Sequence, residues 1–207
     1  MAAQMITISG TAVEIQALAT APVEGVKVEA FASSDEVTAV ATATTDASGN
    51  YSLVISTSGV ALDGFLKATK TGLVDTYLYP PEILVQDFAG ASINMVSPTT
   101  FGLLSDTLCR ANQDAAQGTI ALLVEDATPA AVAGAVIAST PVAPTYCYNS
   151  TSGLPAFDAT ETQPDGVGYM FNVTGEVSVT ATKAGTTFKS HTVNARAGAL
   201  TTTVILP

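Results

Sequence analysis

The chain has 207 residues, 47% of them apolar, which is enough for a core and excludes a disordered class. Charged residues make up only 12%, and 18 acidic against seven basic side chains leave a net charge of −11. The seven cations (Lys27, Lys67, Lys70, Arg110, Lys183, Lys189, Arg196) form no run that could neutralise phosphates, which argues against nucleic acid and anionic lipid as partners.

From the N-terminus, "MAAQMITISG" has neither a basic n-region nor a long apolar h-region, and reads as a mature form whose leader has been removed. No apolar run reaches the roughly 18 residues of a membrane span. Residues 25–31, "GVKVEAF", alternate Val26, Val28 and Ala30 against Lys27, Glu29 and Phe31, the pattern of a half-buried strand. Next, "TDASGNYSL" (45–53) reads as a turn in which Asp46 accepts backbone N–H bonds, Gly49 supplies a positive φ and Tyr51 opens a strand on the core side. "TYLYPP" (76–81) places Tyr77 and Tyr79 on one strand face. In 98–118 the apolar residues Phe101, Leu104, Leu108 and Ala111 are spaced three, four and three apart, which predicts a helix over 100–112 with Thr99 or Thr100 as N-cap. "PTYCYNSTSG" (144–153) sets Tyr146 and Tyr148 on one face and Cys147 on the other. Residues 176–185 and 200–207 alternate as strands again. This succession predicts a sandwich or barrel.

The halves repeat. The segments starting at Gly10 and at Gly118 both open with Gly-Thr, pass a Pro-containing turn and resume at Val23-Glu24-Gly25 and Val132-Ala133-Gly134. "TDASGNYSL" answers "TQPDGVGYMF" (162–171), where Asp165, Gly166 and Tyr169 are the matching turn. "LKATKTG" (66–72) answers "VTATKAG" (179–185), and "INMVSP" answers "TVILP". Two copies of one β-domain, 1–98 and 118–207, joined by a helical linker at 99–117, are expected.

The order of Gly10, Pro22-Val23-Glu24-Gly25-Val26, Thr45-Asp46-Ala47-Ser48-Gly49-Asn50-Tyr51 and Lys70-Thr71-Gly72 resembles the carboxypeptidase regulatory-like domain, a transthyretin-like (prealbumin-like) sandwich. The second copy departs at Gln163-Pro164-Asp165-Gly166 and carries an insert around 139–160. The resemblance implies an all-β fold of two tandem seven-stranded sandwiches and a bacterial surface or periplasmic setting; it picks no activity.

Cys109 and Cys147 form an even pair in a chain expected to be exported, so one disulfide is expected, with two buried thiols as the alternative. The only histidine, His191, lies on a predicted strand, and no G-x-S-x-G elbow accompanies it. One carboxylate near Gly49 is too few for a calcium loop, and the cysteines lack the C-x-x-C spacing of a zinc site. No catalytic residue, metal or cofactor is expected. Three sequons, at Asn50, Asn149 and Asn172, are read as coincidental. The expected function is a non-catalytic extracellular structural or adhesive module, with a protein or polysaccharide partner at the cell surface and exposed strand edges open to assembly. The alternatives are a carbohydrate-binding module using Tyr146, Tyr148, Tyr77 and Tyr79 as an exposed ligand face, and a hydrolase with an inter-domain site.

Overall fold

The computed structural model describes residues 2–16 and 19–207. The chain divides into two compact units, Met1–Ser97 and Pro98–Pro207. Among the described residues no helix is long and apolar enough to cross a membrane.

The first unit holds β1 (Met5–Gln16), β2 (Ala19–Pro22), β3 (Lys27–Ala32), β4 (Ala41–Thr44), β5 (Asn50–Ser56), β6 (Gly64–Thr69), β7 (Thr76–Tyr79), β8 (Phe88–Ala89) and β9 (Ile93–Met95). β1 is the central strand of one sheet, antiparallel to β2 and β5 and parallel to β8 and β9. The facing sheet runs β7-β6-β3-β4, antiparallel throughout. Period-2 alternation builds the core: Ile6 and Ile8 of β1, Leu53 and Ile55 of β5, Val28 of β3 and Ile93 of β9 are all at most 2% exposed.

The second unit opens with α1 (Pro98–Gly102), which continues as a π-helical turn over Leu103–Leu108. Then come β10 (Gly118–Val124), β11 (Val136–Thr140), β12 (Thr145–Asn149), β13 (Pro155–Ala156), β14 (Val167–Val173), β15 (Gly175–Lys183), β16 (Thr186–Thr187), β17 (His191–Ala195) and β18 (Leu200–Ile205). One sheet contains β13-β12-β14-β10-β18, with β10 antiparallel to β14 and parallel to β18. In the other, β15 pairs with β11, β16 and β17.

Six strands correspond. The trio β5-β1-β9 has the same directions as β14-β10-β18. The trio β3-β6-β7 likewise matches β11-β15-β17. The strand that follows the second of these six differs. In the first unit β4 pairs with β3, whereas in the second unit β12 crosses to the other sheet and pairs with β14.

The helix expected at 100–112 is shorter and shifted. Helical backbone runs over 98–108, and Thr99 and Thr100 lie inside it rather than capping it. The last turn is wide: Cys109 N–H reaches Leu104 O at 3.1 Å and Ala111 N–H reaches Ser105 O at 2.9 Å. Arg110 and Asn112 then take positive φ of 54° and 47°, and no helix continues through them. The reason is tethering. The Asp106 carboxylate accepts the Gln113 N–H at 2.7 Å, and Cys109 is bonded to Cys147 of β12.

Candidate functional site

The corner around Asp46 is closed upon itself. Asp46 O accepts the Gly49 N–H at 2.9 Å, and the carboxylate accepts the Ser48 and Asn50 N–H groups at 2.9 and 2.8 Å. These bonds, the Asn50 N–H first, hold the exposed Asp46 carboxyl below the usual range. Gly49 has φ +76°, and a Cβ there would stand 2.5 Å from Ala12 O. In the second unit Gly166 repeats this, with φ +69° and Val124 O at 2.6 Å from a Cβ. Its N–H bonds Gln163 O at 2.8 Å, so Gln163 stands where Asp46 stands and Asp165 takes the place of Ser48.

The tyrosines of these corners are not equivalent. Tyr51 pairs across from Gly10 and buries its ring, donating its hydroxyl to Ala91 O at 2.5 Å. Burial pushes that phenol well above its ordinary pKa. In β14 the position facing β10 in the same way is Gly168, opposite Leu122. Tyr169, one residue later, therefore points to the opposite face. The sequence match of Gly10 with Gly118 and of Tyr51 with Tyr169 thus gives way to Gly10 with Leu122 and Tyr51 with Gly168.

A feature missed in the sequence ties each corner to its neighbour. The buried Thr45 hydroxyl donates to Val23 O at 2.6 Å and accepts the Val26 N–H at 2.9 Å. The buried Thr162 hydroxyl does the same with Val132 O at 2.6 Å and Ala135 N–H at 2.9 Å. Both threonines head the two matched stretches, and their shared four-residue spacing to Gly49 and Gly166 was the available signal.

The tyrosines expected on an exposed ligand face are turned inward. Tyr77, Tyr79 and Tyr148 are 9%, 7% and 4% exposed. In the first unit Phe65 lies against Tyr79 and Tyr77, with ring centroids 5.2 and 5.9 Å away, and stacks on Phe31. In the second, the Ile137 N–H donates to the Tyr148 hydroxyl at 3.1 Å. The Ser139 and Ala143 N–H groups both donate to the Tyr146 hydroxyl at 3.2 Å. The cause is the strand switch. Val28 and Ala30 of β3, the counterparts of Ile137 and Ser139, are paired by Ala43 and Ala41 of β4. β12 has left that edge, and its two tyrosines reach back to satisfy the N–H groups it no longer pairs.

On its other face β12 carries Cys147, bonded to Cys109 with an S–S distance of 2.05 Å. Cys109, Ala111, Cys147 and Phe171 pack as one cluster against Tyr169, so the segment after α1 straps the outer face of the sheet. Gln113 and Asn172 hold it further: Asn172 Nδ2 donates to Ala111 O at 3.0 Å and its Oδ1 accepts the Asp114 N–H at 2.8 Å. Beside the strap the Tyr169 hydroxyl donates to Asn149 Oδ1 at 3.1 Å, and Asn149 Nδ2 donates to Asp165 at 2.7 Å. Burial raises the Tyr169 pKa to about 12. All three sequon amides, at Asn50, Asn149 and Asn172, are thus engaged in hydrogen bonds.

His191 sits half-buried in β17 opposite Val179. An open depression in the first unit is lined by Gly25, residues 69–73 and Asp75, and its Lys70 amine donates to Glu24 O. Among the described residues no three His, Cys, Asp or Glu side chains are grouped as metal ligands.

No family model matches the chain, and no curated protein matches it. Among solved structures it is similar to the Bacillus anthracis TIE protein, at 9% identity and TM-score 0.29 over 98% of this chain. The chain spans only 34% of that protein's length. It is similar to GBS52, the minor pilin of the gram-positive pathogen Streptococcus agalactiae, at 12% identity and TM-score 0.32, covering 97% of this chain and 94% of that one. A double mutant of the shaft pilin SpaA from Lactobacillus rhamnosus GG is 13% identical with TM-score 0.30, covering 99% and 97%. At these values the likenesses carry no argument about binding or assembly.

Proposed function

We propose that this chain is a non-catalytic structural or adhesive module of an extracellular bacterial protein. It is built from two diverged carboxypeptidase regulatory-like sandwiches, 1–98 and 118–207, with 99–117 as the connection. The observation that carries the reading is where the polar chemistry goes. The Tyr51, Tyr146 and Tyr148 hydroxyls and the Asp46 and Asp106 carboxylates all bond backbone groups of their own unit. Groups so committed serve rigidity. The matched threonine clamps and the six matched strands support common descent of the halves, and the disulfide supports an oxidising compartment.

The test separates a structural tyrosine face from a sugar-binding one. On a glycan array the protein gives no saturable signal. Tyr148→Phe lowers unfolding stability by about 1–3 kcal/mol, because the buried Ile137 N–H loses its acceptor. Saturable glycan binding that disappears in Tyr146→Ala while the circular dichroism stays unchanged would overturn the reading.

A further inference from the structure

We propose that the outer edge of β5 receives an extended, basic segment of another protein, which adds to the first unit's sheet as an antiparallel strand. This deepens the structural-module reading and rests on it.

β5 is seven residues long and, among the described residues, pairs with β1 alone. Its register with β1 runs without a break from Met5↔Ser56 to Thr11↔Asn50. Asn50, Ser52, Val54 and Ser56 are exposed, Val54 at 58%. The strand has no lysine, no proline and no bulge, the devices that ordinarily protect an edge.

The second unit shows what this edge accepts. There β14, the counterpart of β5, carries β12 on the same side, antiparallel, in the register Thr145↔Phe171 to Tyr148↔Gly168. In the first unit that place is vacant because β4 has stayed with β3.

The surroundings specify the guest. On the inner side Ala41 and Ala43 of β4 are only partly buried against the core, so inward side chains of an added strand would meet methyl groups. On the outer face Val54 lies opposite Thr7, and Met5, two pairs further along, is 60% exposed. The Ala3 N–H bonds Val85 O at 2.9 Å, which brings the exposed Val85 to the same end. Apolar side chains on both faces of the guest therefore have partners. Residues 2–16, 46–63 and 80–95 carry Glu14, Asp46, Asp63, Glu82 and Asp87 but no Lys or Arg. That sign selects a basic segment and disfavours a second copy of a chain with net charge −11.

The probe is a short synthetic peptide alternating valine and threonine between terminal lysines, titrated into the full chain. The readouts are backbone amide and methionine-methyl NMR shifts. Expected are saturable shifts of the Ser52, Val54 and Ser56 amides and of the Met5 methyl. Met95 and Met170, both 0% exposed, stay unmoved. Val54→Lys weakens binding at least tenfold, while Val37→Lys, at a side chain 91% exposed outside β5, leaves it unchanged. Unmoved β5 amides overturn the proposal, as does an equal response to a control peptide of the same valine–threonine core with glutamates in place of the terminal lysines. Shifts that follow protein concentration without any peptide overturn it too, because they report pairing of copies. A failure here beside a silent glycan array removes this edge alone and leaves the structural-module reading standing.

Discussion

Thr45 and Thr162 show how a single hydroxyl fixes a corner of each unit. Each takes a backbone N–H and returns its proton to a carbonyl three residues earlier along the facing turn, at sites no more than 4% exposed. Valine has the same shape without the hydroxyl, so Thr45→Val strands the Val26 N–H and the Val23 carbonyl. Two stranded groups cost about 2–4 kcal/mol. Urea unfolding of Thr45→Val and Thr162→Val should show that loss at unchanged slope, and a change below 0.5 kcal/mol would remove the clamp from the account. The residue scale is also where the sequence was hardest to read. Both threonines and both glycines could be aligned by their spacing, but a one-residue difference in the distance to the tyrosine exchanges faces in a strand. Tyr51 is a core residue, whereas Tyr169 belongs to the strapped outer face.

At the scale of elements, alternation announced most strands, and the even cysteine count together with the expected export pointed to the bridge that joins Cys109 to Cys147, with two buried thiols as the alternative that the structure removes. The switch of β12 to the other sheet was not legible, because a strand of five residues carries the same period in either sheet. The helical spacing of 101–111 was a true signal for only part of its length: the pull of Cys147 on Cys109 and of Asp106 on the Gln113 N–H outweighs propensity beyond Leu108. The strap itself is testable. Replacing Cys109 and Cys147 by serine frees the unfolded chain of a cross-link with a sequence separation of 38. The chain-entropy estimate for such a loop is about 3–4 kcal/mol. Hydrogen exchange in the double variant should lose protection over 103–118 and in β12 and β14, while β1 and β5 keep theirs. Protection unchanged in the strap would mean that Gln113, Asn172 and the apolar cluster hold it without the bridge.

For the whole molecule the decisive quantity is charge. Eighteen carboxylates against seven cations leave −11, and burial rather than ion pairing holds each unit together. Pairs such as Lys27–Glu29 at 2.7 Å and Lys67–Asp75 at 3.6 Å sit where water screens them, so each contributes little. Self-repulsion among the remaining carboxylates acts over longer distances and opposes the compact state. Salt shortens its reach from about 30 Å at 0.01 M to about 8 Å at 0.15 M. The repulsion should therefore fade faster than the few close attractions. Raising ionic strength with sodium chloride across that range should stabilise the chain by about 1 kcal/mol, which corresponds to a Tm rise of about 2–4 °C for a protein of this size. Calorimetry at neutral pH decides it. A Tm that falls with salt would show that attractive surface pairs, not the excess of carboxylates, dominate the electrostatics of this fold.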